Sequence, residues 1–339
     1  MVSTKWSSLP CQSGTGPMSD SVIKSLPPLP LKPTETCWIC QSTKLVEIWQ
    51  DVIDLKWSPY VAPYNHSTHP ACKLARCSSC GFGQPASVPD IEDYYGRMYH
   101  REWTPESLEN DFQATYRDVI YGDILKRLAR LLRKPRRTLL DIGAHTGRFA
   151  WLAYENGWAA EGLEINPVTA EFARRRTGLA IHTQRAEELA KHGKRYKAVT
   201  LNDVLEHLPE PMSILRSVTE VMEPGGILAI KVPHGPMQRL KEGFRRRILG
   251  CDPMADRAGV MSNFVHVNHF SVNSMRLALE TVGLEVVSIR SGRCETIPWK
   301  QSGVARGLTV RAIDRMAQIL PGSVHTPMGM NLQVFATKR

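Results

Sequence analysis

Downstream of position 137, short apolar runs alternate with stretches whose apolar residues recur at helical spacing. The runs 138–142, 159–164, 179–183, 197–203 and 226–232 read as strands, and 147–156, 167–176 and 211–221 between them read as helices. Strands joined through helices of this length return by right-handed crossovers, so the pattern predicts an α/β domain with a parallel, doubly wound, Rossmann-like sheet. A helix at 272–282, a strand at 284–290, a helix at 304–319 and a strand at 332–337 follow. Ahead of the first strand, Phe112, Tyr116, Val119, Ile120, Leu128 and Leu131 recur at helical spacing, while Lys126, Arg127, Arg130 and Arg133 fall on other faces. That pattern predicts an amphipathic helix over 112–132. Residues 1–36 carry Pro27, Pro28, Pro30 and Pro33 among scattered serines and are expected to form a disordered leader. The expected organisation is leader 1–36, a small module 37–84, a linker with its helix 85–137, and the α/β domain 138–339.

The chemistry of the small module lies in two tight cysteine pairs, Cys37-Trp38-Ile39-Cys40 and Cys77-Ser78-Ser79-Cys80, the second followed by Gly81. Two such knuckles present four thiolates, the donor set and tetrahedral arrangement that zinc favours. Gly81 suits a knuckle, because a backbone that turns its amides toward sulfur needs a residue free to take positive φ. Four thiolates close the coordination sphere, so the expected role of the zinc is structural. Redox-active or fortuitous pairing is the competing reading. His66, His69 and Cys72 lie between the pairs and rank below the knuckle thiols as ligands, and Cys11, Cys251 and Cys294 read as ordinary thiols.

Composition narrows the class. With 42% hydrophobic and 22% charged residues the chain can bury a sizeable core, and eight cysteines in 339 residues are too sparse for a disulfide scaffold. No apolar run approaches the roughly 18 residues of a bilayer span, and the N-terminal segment lacks the apolar core of a signal peptide. A cytoplasmic protein is therefore expected. The formal charge of +10 raises nucleic acid, an anionic membrane face or an acidic small molecule as partners.

The first predicted strand runs into Leu139-Leu140-Asp141-Ile142-Gly143-Ala144-His145-Thr146-Gly147, a glycine-rich turn where ligands bind in open parallel sheets. It is not the dinucleotide fingerprint Gly-x-Gly-x-x-Gly, which argues against a nicotinamide enzyme. Glu164 stands at the end of the second strand, where a carboxylate can accept from both ribose hydroxyls.

These blocks, with Asn202-Asp203-Val204-Leu205-Glu206-His207-Leu208-Pro209, Glu223-Pro224-Gly225-Gly226 and Phe270-Ser271-x-x-Ser274, resemble the class I S-adenosylmethionine-dependent methyltransferases over residues 138–290. The resemblance implies a seven-stranded sheet with its last strand antiparallel. It also implies S-adenosylmethionine as cofactor, its methionine part cradled by the backbone of Gly143, Ala144, His145 and Gly147, with Asp141 organising the turn. Glu164 would bind the ribose, Ile165 would cover the adenine, and Arg185, Ala186 and Glu187 would supply contacts to the adenine edge. Asn202, Asp203 and Val204 would line the floor. His145 replaces a glycine frequent in the family, which the turn accommodates if φ stays negative there; it also brings an imidazole near the sulfonium. Arg185 stands where an acid is common.

The acceptor is read from weaker signals. A hydroxyl or carbon acid must lose a proton to accept a methyl group, and His207 and His266 are the candidate bases, with helix capping or packing as the plainer role for each. The cysteine module, Asp93-Tyr94-Tyr95 and the core look like the zinc-containing nucleotide-sugar C-methyltransferases, and Tyr94 or Tyr95 is expected near the acceptor. That group has a His-Glu-His stretch just before its Tyr-Phe-Ser segment. Here the glutamate position is Val265 and the final histidine is His266, and a chain ending at Arg339 has no room for the group's further C-terminal domain. The expected acceptor is therefore a small molecule of saccharide type, methylated on oxygen or carbon, with the aromatic hydroxyl of quinone-pathway O-methyltransferases also open.

A nucleic-acid methyltransferase would combine the same ribbon, basic helix and core. Asn202-Asp203-Val204-Leu205 is not the Asn/Asp-Pro-Pro-aromatic turn of base amino-methylation, and no aromatic residues interleave the basic run. A non-catalytic zinc-ribbon binding protein on a methyltransferase scaffold is the other alternative, against which Asp141, Gly143, Gly147 and Glu164 all speak. Lys126, Arg127, Arg130, Arg133, Lys134, Arg136 and Arg137 concentrate the basic charge before the first strand, at the amino edge of the sheet and opposite the crevice. Oligomeric state is left open.

Overall fold

The computed structural model describes residues 30–50, 73–90, 103–132, 137–191, 193–248, 266–295 and 304–339. The leader up to residue 29, Cys11, His66, His69, Cys72, Tyr94, Tyr95, Cys251 and Val265 lie outside the described residues.

Seven strands form the central sheet: β6 (Thr138–Ile142), β7 (Ala159–Leu163), β8 (Ile181–His182), β9 (Tyr196–Asn202), β10 (Met222–Pro233), β11 (Leu284–Ser291) and β12 (Asn331–Lys338). Their order is β11-β12-β10-β9-β6-β7-β8. β6, β7, β8, β9 and β10 pair in parallel, and β12 runs antiparallel to both β10 and β11. The sheet is covered on both faces, which is why its strands read as apolar runs rather than as an alternation. On one face Leu140, Val199, Leu201 and Leu228 join Leu189, Leu215, Val218 and Met275 from the helices. On the other, Leu139, Ala198, Ala229 and Phe335 pack against Ile120, Ile124, Leu128 and Phe149.

The expected helix over 112–132 is two. α1 (Pro105–Gln113) starts at an N-cap, Thr104, whose hydroxyl accepts from Ser107 N. It ends at Ala114, whose ψ of 94° leaves the helical region. A 3₁₀ turn (Thr115–Arg117) leads into α2 (Asp118–Leu131). The break separates two packing tasks: Phe112 of α1 stacks on Trp151 and Phe172, whereas α2 buries Ile120, Ile124 and Leu128 against the sheet.

The remaining helices are α3 (Arg148–Glu155), α4 (Pro167–Thr177), α5 (Ala186–Lys191), α6 (Pro211–Val221), α7 (Gly235–Ile248), α8 (Val272–Thr281) and α9 (Val304–Ile319). α8 opens on a capping box in which the Ser271 and Ser274 side chains each bond the other's backbone N–H, the physical content of the Ser271-x-x-Ser274 block. No helix among the described residues is long and apolar enough to cross a membrane.

The cysteine module is a three-stranded antiparallel sheet of β2 (Leu45–Gln50), β3 (Lys73–Cys77) and β4 (Gly83–Pro85). β1 (Leu31–Pro33) pairs with β5 (Ser87–Pro89), so part of the segment expected as leader is a strand and the paired structure extends beyond residue 84. Gly83 and His269 exchange both backbone hydrogen bonds, at 3.0 and 2.8 Å, and Phe82 stacks on Phe270 at 5.1 Å. Phe82 and Phe270 are both fully buried, and each such ring contributes about 1.5–3 kcal/mol through burial. The module is thereby fastened to the segment between His266 and α8.

Candidate active site

At the carboxyl end of β6 the chain turns into α3 through Gly143 and Gly147, at φ 73° and 78°. A Cβ on Gly143 would stand 2.4 Å from Val204 Cγ2, so no other residue lets this turn lie against the end of β9. The buried Asp141 carboxylate accepts from Thr200 Oγ1 at 2.6 Å and from Asn202 Nδ2 at 3.4 Å, which ties β6 to β9 beneath the turn. Burial pushes its carboxyl up to about 7.

His145 adopts φ 49°, which corrects the expectation of a negative φ. The family's glycine position is kept in the left-handed region although an imidazole occupies it. Its Nδ1 lies 3.3 Å from Asp111 Oδ2 and its ring meets the Trp103 indole edge-on at 4.8 Å, so α1 and the residues before it hold the side chain. These contacts offset a backbone cost of about 1 kcal/mol.

Glu164, half-buried after β7, accepts from His145 N through Oε2 and from Asn166 N through Oε1, each at 2.9 Å. Burial raises its carboxyl above the usual range against these two bonds. Ile165 is 40% exposed, leaving an apolar surface open beside it. Arg185 is exposed, Ala186 is buried at the start of α5 and Glu187 is half-buried. Asn202, Asp203 and Val204 follow in line at the end of β9, and the buried Asn202 Oδ1 has no hydrogen-bond partner. A two-glycine turn, a carboxylate at the end of the neighbouring strand, an exposed apolar side chain and an orphaned amide oxygen, all at the carboxyl ends of β6, β7 and β9, fit an adenosyl cofactor.

Beyond Val204 a 3₁₀ turn (Leu205–His207) carries Glu206 and His207. Asn268 N donates to the Glu206 carbonyl, and Asn268 Nδ2 donates to the carbonyls of Leu205 and Leu208 at 2.7 and 2.5 Å. This clamp sets His266 against His207 with ring centroids 4.8 Å apart. Burial, then His207 and His269, push the His266 imidazole down to about 3, so it stands neutral. Glu206 is 1% exposed with Oε2 unpartnered, and burial raises its carboxyl well above the usual range. Donor atoms of Glu206, His207 and His266 all lie within 4.8 Å of one another, a spacing open to proton exchange or to a divalent cation.

Several polar groups near this end were not singled out from the sequence. Lys231 of β10 is 6% exposed and donates to both Asp203 oxygens at 2.5 and 2.7 Å. Burial opposes ionisation of Asp203, but the Lys231 ammonium outweighs it and holds the carboxyl below its usual range. Arg117 pairs with Glu295 at 3.2 Å, and burial raises the Tyr121 phenol. A lysine inside the apolar run Ile230-Lys231-Val232 is the signal that could have found the first of these.

The four knuckle cysteines converge. Cys37 Sγ and Cys80 Sγ are 3.6 Å apart, Cys40 Sγ and Cys77 Sγ are 3.5 Å apart, and all four lie within 4.8 Å of one another. A tetrahedral zinc with bonds of about 2.3 Å requires sulfur separations close to these. Gly81 takes φ 77°, as the knuckle demands.

The methyltransferase-domain family matches residues 113–289, more than half of the chain, and the chain belongs to that family; its sheet order and first turn are those of the class I S-adenosylmethionine-dependent methyltransferases. Among curated relatives, the ubiquinone biosynthesis O-methyltransferase of Escherichia fergusonii is 28% identical over 127 residues, covering 35% of this chain and 52% of that enzyme. The corresponding Escherichia coli K12 enzyme is 29% identical over the same length. The chain thus spans about half the length of the curated relatives it matches. Similar solved structures include an S-adenosylmethionine-dependent methyltransferase from Archaeoglobus fulgidus, at 22% identity and TM-score 0.41, covering 64% of this chain and 94% of that one. The plantazolicin methyltransferase BpumL is another, at 10% identity and TM-score 0.47, covering 74% of this chain and all of that one.

Proposed function

We propose that the protein transfers the methyl group of S-adenosylmethionine to a hydroxyl of a small, saccharide-type or otherwise polyhydroxylated acceptor. The observation that carries this reading is the His207–His266 contact, held by Asn268 one turn beyond the cofactor floor. The cofactor supplies a methyl group already activated by its sulfonium. The chain has to hold the reactants in line and take a proton. Asp141 and the turn from Gly143 to Gly147 fix the methionine part, Glu164 the ribose, Ile165 the adenine, and Asn202 and Val204 the floor. Arg185, Ala186 and Glu187 lie at the adenine edge. Lys231 neutralises Asp203, which keeps that carboxylate from competing for the acceptor proton. His207 takes the hydroxyl proton on a ring nitrogen while the neutral His266 orients it. Zinc on Cys37, Cys40, Cys77 and Cys80 stiffens the module that anchors the His266–Phe270 segment.

Incubation with methyl-labelled S-adenosylmethionine and fractionated cell extract tests the reading. Label is expected in a small hydroxylated metabolite, with His207→Gln lowering kcat about 100-fold or more while S-adenosylhomocysteine affinity is unchanged. Label in RNA or DNA alone contradicts it. The unpartnered Glu206 Oε2 favours a second reading, in which Glu206, His207 and His266 hold a divalent cation that acidifies the hydroxyl. Activity lost on brief chelation and restored by manganese or ferrous iron, with the cysteine-bound zinc retained, distinguishes the two.

A further inference from the structure

α9 (Val304–Ile319) turns polar groups toward the protein and large apolar ones toward solvent. Inward, Asp314 is 3% exposed; its Oδ2 accepts from Arg293 Nε and Nη2 at 3.1 and 2.8 Å, and its Oδ1 accepts from Cys294 N at 2.8 Å. Gln318 Nε2 donates to the Ser291 carbonyl at 3.3 Å, and the small Ala317 is buried on the same side. Outward, Leu308 is 53% exposed, Met316 51%, Ile319 77% and Leu320, just past the helix, 44%. With the exposed Ala312 they fall at i, i+4, i+8, i+11 and i+12, so they line one stripe. A surface helix ordinarily has the reverse arrangement, its apolar stripe inward and its polar side in water. The stripe of α9 adds nothing to the core of this chain, and a contiguous exposed stripe of that kind marks a contact surface.

The charges around the stripe select what covers it. At 3.6 residues per turn, the exposed Arg311 and Arg315 fall along one border of the stripe. Across residues 296–330 the sequence holds Lys300, Arg306, Arg311 and Arg315 against a single acid, Asp314, which Arg293 already occupies. A second copy of α9 laid against the first would bring like arginines together across a two-fold axis, with no acid of the helix to meet them. An anionic lipid surface instead offers acyl chains to the stripe and headgroup charge to the arginines, the combination that holds amphipathic helices in the plane of a bilayer. The helix leads through a 3₁₀ turn (Ser323–His325) into β12, whose first residue, Asn331, pairs with Pro233 at the carboxyl end of β10. Ser323 Oγ also meets Ser291 Oγ at 2.8 Å at the end of β11. The C-terminal end of α9 is thus tied to the sheet edge that carries the glycine-rich turn.

We propose that α9 is a membrane-docking helix, which lays Leu308, Met316, Ile319 and Leu320 into the surface of an anionic bilayer with Arg311 and Arg315 at the headgroups. Docking of this kind does not depend on the methyltransferase reading. The test is cosedimentation of the full chain with vesicles of phosphatidylcholine alone and of equimolar phosphatidylcholine and phosphatidylglycerol. It compares wild type with Arg315→Gln and with the double variant Met316→Ser, Ile319→Ser. Wild type is expected to bind the mixed vesicles, and phosphatidylcholine alone at least about tenfold more weakly. The double variant is expected to lose at least about tenfold in affinity for the mixed vesicles, and Arg315→Gln about fivefold. All three substitutions are at exposed positions, so the variants are expected to keep the wild-type melting temperature. No binding of wild type to the mixed vesicles, or equal binding to both compositions, would overturn the proposal. So would undiminished binding by the double variant, which the net charge of +10 alone would produce. Sedimentation velocity without lipid is expected to give wild type and double variant the same oligomeric state. A wild-type oligomer that the double variant dissociates would assign the stripe to a second copy and overturn membrane docking.

Discussion

Asp141 shows how a single buried side chain links the fold to pH. Its carboxyl has an ordinary value near 3.8 in the unfolded chain and about 7 in the folded one, so the native state favours the protonated form. The stability this group contributes is fully present below pH 3.8 and is lost as pH rises through about 7. Asp141→Asn keeps an acceptor for Thr200 and has no proton to lose. Wild type is therefore expected to lose more stability than the variant between pH 5 and pH 8, measured as denaturant midpoints, and equal losses would contradict the assignment. Gly143 is fixed by sterics instead. Gly143→Ala meets Val204 at 2.4 Å at φ 73°, and is expected to cost about 1–3 kcal/mol and to weaken cofactor binding, read by thermal melts and titration. The placing of Asp141, Gly143, Gly147 and Glu164 at and just after strand ends was legible because a glycine-rich turn and isolated carboxylates bounding apolar runs leave few other positions. The left-handed His145 was not, since the contacts with Asp111 and Trp103 that hold it come from α1, distant in sequence.

At the scale of elements, helices with a full apolar stripe were readable and those without were not. α9 (Val304–Ile319) has the limits its periodicity predicts, and α6 (Pro211–Val221) starts at a proline that marks N1. α7 (Gly235–Ile248) went unread because it opens on Gly235-Pro236 and is rich in polar residues. The break between α1 and α2 had no local signal, because Ala114 is a good helix former and it is the different partners of Phe112 and Ile120 that split the helix. In the cysteine module the spacing alone identified the four thiols, since Cys-x-x-Cys turned by a following residue at positive φ has few other uses. The purified protein is expected to carry one equivalent of zinc, and Cys37→Ser to lose it together with cooperative melting of the module. Metal analysis that finds no zinc with all four cysteines reduced would overturn this assignment.

Across the whole molecule, the sheet order follows from strand and helix alternation together with the family's antiparallel last strand, and β12 between β10 and β11 realises it. The seam between module and domain was beyond sequence reasoning, because Gly83 and His269 meet through backbone hydrogen bonds that leave no side-chain signature. On the proposed mechanism that seam joins the four-cysteine ribbon to the segment carrying His266, and removing a ribbon-bound zinc is expected to lower turnover before it lowers cofactor affinity. The net charge of +10 takes on a different meaning at this scale. On α2, Arg127 pairs with Asp123, which also holds Arg290, while Lys126 and Arg130 face solvent. The buried cation with a chemical consequence, Lys231, lies elsewhere. The central claim, an adenosyl cofactor seated between Gly143 and Glu164, is tested most directly by calorimetric titration of the full chain with S-adenosylhomocysteine. One molecule is predicted to bind per chain, with affinity reduced at least about tenfold in Glu164→Ala. Absence of binding to wild type, or equal binding by Glu164→Ala, would contradict the account.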